Sequence, residues 1–274
     1  MTLAGLLDVT PLGGGRFRGE SDTVALPQPF GGALVGQSIV AAGRTLPGDR
    51  AVHSIRTTFL RAGVVGKPVE LDVTPLRDGR RVSVLEVSVR QDARELCRST
   101  VSASADRPGG ISHTSAPAAV PGPSSSPSLA ELAVDDGGLG EFWDGFSAVD
   151  VRVAGAFEDG RVHVWMRCAP LPDDPLFHRA GLAYASDLML MAAVVARHGV
   201  PVGHERTLAR EWNAVSLDHA VSFPGETRAD DWQLFTQFSP SAAGGRATIL
   251  ASASDTAGRP SCDVSQMALV WPCN

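Results

Sequence analysis

Two kinds of hydrophobic patterning alternate along this chain. The first is an apolar stretch almost free of charge, clearest in GLAYASDLMLMAAVVARHG, residues 181–199, where Asp187 is the lone charge between Gly181 and Ala196. Its Ala, Leu and Met content predicts a helix that Gly199 caps and Pro201 prevents from continuing. A helix apolar nearly all round is expected to be buried. The second kind mixes β-branched and polar residues with partial period-2 alternation, bounded by turn signals such as Asp78-Gly79.

The two kinds recur in the same order. Strand-like RFRGESDTVAL (16–26) precedes a small-residue helix, FGGALVGQSIVAAGRTL (30–46). Four strand-like segments follow: VHSIRTTFLRAG (52–63), PVELDVTPLRDG (68–79), RRVSVLEVSVRQDA (80–93) and LCRSTVSASA (96–105). Later, VDVRVAGAFEDG (149–160) and RVHVWMRCAP (161–170) precede the helix at 181–199. After it come EWNAVSLDHAVSF (211–223), DWQLFTQFSPSA (231–242), GRATILASASDTAG (245–258) and CDVSQMALVW (262–271). The order predicts an internal repeat: a helix, then a four-strand antiparallel meander, found twice.

Between the copies, ADRPGGISHTSAPAAVPGPSSSPSL (105–129) is rich in Pro, Ser and Gly and has no apolar periodicity, so it reads as a mobile connector. The organisation expected is a first unit at 1–104, a connector at 105–140 and a second unit at 141–274. A long helix followed by an antiparallel sheet is an α+β arrangement in which the sheet wraps the helix. Gly31, Gly32, Ala33, Gly36 and Ala41 would let that sheet approach closely. Two such units are expected side by side, their sheets joined into one.

Composition narrows the partners. With 274 residues, 43% hydrophobic and 20% charged, the chain can bury a large core. A net charge of -6 and the lack of a Lys/Arg-rich run argue against nucleic acid as a partner. Cys97, Cys168, Cys262 and Cys273 are scattered without a C-x-x-C pair, and read as small buried residues in a reducing compartment. The N-terminus lacks a basic segment before its short apolar run, so no secretory signal is expected. The longest uninterrupted apolar run, residues 188–196, is too short to span a bilayer. A cytoplasmic location is the expectation.

Candidate chemistry centres on Asp187. An ionised carboxylate in a buried helix costs several kcal/mol unless it is hydrogen-bonded or protonated. By itself the stretch admits two readings, a catalytic carboxylate or a structural one that caps backbone or pairs with an arginine. His53, His163, His178, His198 and His204 show no metal-ligand spacing. Ser216, Asp218 and His219 lie close in sequence, but neighbours on a strand do not form a Ser-His-Asp triad, and the chain has no G-x-S-x-G elbow. Asp218 and His219 are expected to be structural or to line the site.

The stretches FRGES, FGGALVGQ, VHSIRTTFLRAG and LRDGRRVSVLEVSV, then LPDDPLFHRAGLAYASDL and SLDHAVSF, resemble the type II acyl-CoA thioesterases in content and order. That resemblance covers nearly the whole chain outside the connector and implies a double hotdog fold. It further implies a hydrolytic site in the second hotdog, built from Asp187 in the Y-A-S-D motif, Ser216 in the S/T-[IL]-D-H motif and Gln266 near the chain end. The family continues the S/T-[IL]-D-H motif with a bulky aromatic and F-H-R-P, whereas this chain runs AVSFPGE, which is expected to reshape the acyl or CoA entrance near residues 221–225.

On this reading Asp187 deprotonates a water, Ser216 and Gln266 orient it, and no cofactor or metal is needed. The amides at the helix start, Phe30, Gly31 and Gly32, are candidates to polarise the thioester carbonyl. The alternative is that these glycines serve only close packing. Trp165, Trp212, Trp232 and Met189 are read as core before tunnel wall. Two other functions remain as alternatives. One is a non-catalytic acyl-CoA or acyl-carrier binding protein, for which the AVSFPGE departure leaves room. The other is a hydratase or dehydratase, which calls for a paired Asp and His, and the Asp187 helix has no His within one turn. A homodimer or larger assembly is expected by resemblance.

Overall fold

The computed structural model describes residues 1–22, 24–107, 109–111, 113–114, 118–156 and 160–273. Parts of three sequence readings therefore lie outside the described residues: Thr23 in the first strand-like segment, 157–159 at the end of the 149–160 segment, and 108, 112 and 115–117 in the connector.

The first half runs α1 (Leu3–Leu7), β1 (Val9–Gly13), β2 (Arg16–Gly19), α2 (Gly31–Gly43), β3 (Ala51–Phe59), β4 (Val69–Asp78), β5 (Val82–Gln91) and β6 (Arg94–Ser104). The second half begins with α3 (Leu129–Leu132), β7 (Val149–Ala156) and β8 (Arg161–Cys168). It continues through α4 (Pro175–Ser186), α5 (Leu190–Val195) and α6 (Glu205–Glu211) to β9 (Trp212–Ser216), β10 (Asp218–Ser222), β11 (Gln233–Ala243), β12 (Arg246–Asp255) and β13 (Pro260–Pro272).

All thirteen strands belong to one sheet, ordered β1-β2-β4-β5-β6-β3-β10-β13-β12-β11-β8-β7, with β9 added on β13. Counted outward from the centre, the order is the same in both directions, so the sequence repeat is a structural repeat. The four-strand meander is corrected in one respect. Only β4-β5-β6 and β11-β12-β13 are meanders, while β3 and β10, the strands that leave the helices, lie beside β6 and β13. That placement brings β3 and β10 together antiparallel, with Ile55 opposite Val221 and Thr57 opposite His219, and removes what would be two exposed edges. The fold is α+β, a double hotdog.

The sheet wraps α2 and α4. Val35, Ile39, Val40, Ala41 and Ala42 of α2 are fully buried, as their apolar circumference predicts. Gly31 lies against Phe59 of β3, but Gly32 and Gly36 face α4 in place of the sheet. A Cβ on Gly32 would lie 2.6 Å from the Tyr184 carbonyl oxygen, and one on Gly36 3.0 Å from that of Ala180. The small residues therefore let α2 press its backbone against the antiparallel α4, with the sheet closing around the pair.

The helix expected at 181–199 is divided. α4 ends at Ser186, Asp187 caps it, Met189 takes a left-handed conformation with φ 64°, and α5 begins at Leu190. Gly199 adopts the left-handed cap expected of it, with φ 90°. The stretch Pro175–His198 is long and apolar enough by length to cross a membrane, yet 78% of its most apolar window is buried within the protein.

From Pro123 onward the connector departs from the mobile segment its composition predicts. A 3-10 turn at Pro123–Ser125 leads to α3, whose capping box joins Ser128 and Glu131. Leu129, Ala133, Trp143 and Phe146 are buried, and Trp165 Nε1 donates to the Pro121 carbonyl at 2.9 Å. A few apolar anchors that show no periodicity are enough to order it.

Candidate active site

Asp187 sits where the C-terminus of α4 lies beside the N-terminus of α2. It caps the C-terminus of α4, the negative end of that helix, while the N-terminus of α2 lies against its carboxylate. A Cβ on Gly31 would fall 2.8 Å from Asp187 Oδ2, so only glycine leaves the carboxylate its place. The side chain is 6% exposed. Burial raises its pKa above the usual carboxylate value, and the nearby His219 and the Gly32 amide pull it partly back. The result is a buried carboxyl group that binds a proton more readily than one in water.

The strands supply its neighbours. His219, on β10, is fully buried, and its Nδ1 is 3.8 Å from Asp187 Oδ1. The same nitrogen lies 2.6 Å from Gln266 Oε1 on β13. Gln266 Nε2 in turn donates to Ser216 Oγ, at the end of β9, at 3.0 Å. On its other side, His219 Nε2 is 2.9 Å from Ser186 Oγ, the residue before Asp187. Asp187, His219 and Gln266 thus form a line of buried polar groups that reaches the half-buried Ser216.

The three residues singled out for hydrolysis are therefore brought together, with His219 between Asp187 and Gln266. His219 was legible only as a residue structural to the site or lining it, and a further signal was present. In DHAVSF, period-2 alternation puts His219 on one face with Val221 and Phe223, and all three are buried. Asp218 points the other way and accepts a hydrogen bond from the Met267 amide at 2.9 Å. The absence of a histidine near Asp187 holds for the helix alone, since β10 supplies one from 32 residues away in sequence.

Phe30 serves the core. Its ring is 6% exposed and packs edge-on against Phe146 at 5.0 Å and Tyr184 at 5.1 Å. Its amide donates to Asp22 Oδ2 at 2.9 Å, which anchors the start of α2. Gly31 and Gly32 form the first turn and face Asp187, so the positive end of α2 is turned toward the carboxylate. Trp165 and Met189 are buried, and Trp232 lies under the Arg152 and Arg167 guanidinium groups. In the AVSFPGE departure, Phe223 is 5% exposed and its amide donates to the His53 carbonyl at 2.8 Å. Phe223 is thus packed into the fold four residues along from His219, while Pro224, Gly225 and Glu226 are exposed.

Two family models match the chain: acyl-CoA thioesterase N-terminal domain over residues 18–107 and acyl-CoA thioesterase C-terminal domain over residues 117–270. The crystal structure of an acyl-CoA thioesterase II TesB2 from Mycobacterium marinum superposes with a TM-score of 0.82 at 32% identity, covering 98% of each chain. Human acyl-coenzyme A thioesterase 8 is 26% identical over 269 residues, 89% of this chain and 81% of its own length. Acyl-CoA thioesterase 2 of Haemophilus influenzae is 41% identical over 86 residues, which is 31% of this chain and 30% of that protein.

Proposed function

This chain belongs to the acyl-CoA thioesterase family and is a hydrolase of acyl-CoA thioesters, and on that premise we propose that Asp187 activates the water that attacks the thioester. Ser216 and Gln266 hold that water, and the first-turn amides of α2 at Gly31 and Gly32 polarise the carbonyl, with Gly32 shared with Asp187. The water oxygen bonds to the thioester carbon while Asp187 takes its proton. The carbon–sulfur bond then breaks, and the proton passes to the leaving thiolate, giving a carboxylic acid and free CoA.

The observation that carries this reading is the buried Asp187 carboxyl, its pKa raised by desolvation, 3.8 Å from His219, from which hydrogen bonds run through Gln266 to Ser216. A desolvated carboxylate is a stronger base than one in water, and glutamine and serine offer both donors and acceptors to orient a water. The test is release of free thiol from acyl-CoAs of graded chain length. Release that disappears in Asp187→Ala fits the reading, whereas tight binding without release would replace it with a binding protein.

Two wider expectations belong to the same proposal. The sheet ends at β1, whose outer residues are exposed, and Trp271 on β13 is 42% exposed, which supports self-association into a homodimer or larger assembly. Light scattering checks it. Four free cysteines, three of them buried, support a reducing compartment such as the cytoplasm.

A further inference from the structure

The mechanism above leaves His219 without a task, although it is the most connected side chain of the site. Counting hydrogens shows what its contacts require. The Ser186 hydroxyl has one proton and donates it to the Ala183 carbonyl at 2.8 Å. His219 Nε2 meets the same Ser186 Oγ at 2.9 Å, which holds the ring from its other side. Gln266 Oε1 carries no hydrogen, so His219 Nδ1 is the donor across 2.6 Å. The same Nδ1 lies 3.8 Å from Asp187 Oδ1.

This fixes Gln266 as well. With Oε1 held by His219, the amide NH2 must face Ser216, where it donates at 3.0 Å. Ser216 Oγ, already accepting, is left to donate its own proton toward the reacting groups. Were Nδ1 bare, the amide would turn over, present its NH2 to the ring and its oxygen to Ser216, and draw the serine proton away from the reaction.

We infer that His219 is a positioning residue which, by holding Gln266 Oε1, sets the direction of the hydrogen bonds that Gln266 and Ser216 offer in thioester hydrolysis. The inference rests on the hydrolytic role proposed for Asp187, Ser216 and Gln266. Nothing else competes for the ring on its strand neighbours: Thr57, opposite it on β3, is hydrogen-bonded to Ser99 at 2.8 Å, and Asp218 lies on the other face of β10.

The test compares His219→Asn with His219→Gln. The asparagine amide reaches the position of Nδ1 and can still donate to Gln266, whereas the glutamine amide reaches the position of Nε2 and keeps only the Ser186 contact. Expected are a kcat about 100-fold down in H219Q with KM little changed, and recovery of most of that loss in H219N. In the Q266A background neither substitution lowers kcat further, because the group through which His219 acts is gone. Both variants keep a polar side chain in the pocket, and thermal unfolding confirms that each is folded. Equal activity of H219Q and H219N, or losses that multiply with Q266A, would overturn the inference. Wild-type thiol release unaltered by Q266A alone would instead overturn the hydrolytic role of Gln266.

Discussion

Replacing Gly31 by alanine tests whether the position of the Asp187 carboxylate controls the reaction. The new Cβ would stand 2.8 Å from Asp187 Oδ2 and 2.9 Å from Phe59 Cζ. Non-bonded carbon contacts are most favourable at about 3.5–4.0 Å, so something must move by roughly half an ångström or more. Both neighbours are the ends of side chains, and it is the carboxylate and the ring, not the backbone, that give way. Overpacking costs about 1–3 kcal/mol, against which alanine regains about 0.5–1 kcal/mol over glycine in a helix. The remaining loss is on the order of 1 kcal/mol, a fall of about 2–4 °C in Tm for a chain of this size. Activity should suffer more: if 1 Å of misplacement costs about 100-fold, half of that costs about tenfold in kcat.

Gly36→Ala is the matched control on the same helix. Its Cβ would meet Leu7 Cδ2 at 2.5 Å and the Ala180 carbonyl oxygen at 3.0 Å, and a backbone carbonyl cannot rotate aside. That variant should lose more stability, about 2–3 kcal/mol, with kcat per folded molecule unchanged. Thiol release and thermal unfolding are measured on both proteins. A wild-type kcat in G31A, or an equal fall in kcat in G36A, would refute the argument that this glycine makes room for the base.

Three further outcomes are expected. Because burial raises the Asp187 pKa, the acid limb of kcat/KM should lie above the ordinary carboxylate range and hydrolysis should vanish in Asp187→Asn; a limb near 3.8 in the pH–rate profile would contradict this. Burial also lifts Glu205, which accepts from Trp143 Nε1, from 4.5 to about 7. A folded-state pKa above the unfolded one gives stability that is complete below pH 4.5 and lost as pH rises through about 7, so Glu205→Gln should flatten the loss, on the order of 1 kcal/mol, seen in denaturation at pH 6 and pH 8.5. Gln37, fully buried on α2, donates to the Leu6 and Glu20 carbonyls at 2.7 and 2.6 Å; Gln37→Leu strands both acceptors and should cost about 2–4 kcal/mol of stability in urea unfolding while sparing kcat.

By itself the sequence determined which segments are buried and how they repeat. An apolar circumference on a helix and alternation on a strand are local consequences of burial, so α2, the 181–199 stretch and both sets of strands were legible, as was the anomaly of Asp187 within them. The types and rough positions of Ser216 and Gln266 were legible through the family resemblance. What each buried face meets was decided only by tertiary structure. Periodicity reports that a residue leaves water, not what it leaves water for. It did not reveal that Gly32 and Gly36 face the carbonyls of α4 in place of a sheet, nor that β3 and β10 join the halves. It ran straight through the break at Met189, because the residues on either side are equally apolar. Only the register of β10 between β3 and β13 carries His219 to Asp187, for that register is set by hydrogen bonds between strands far apart along the chain.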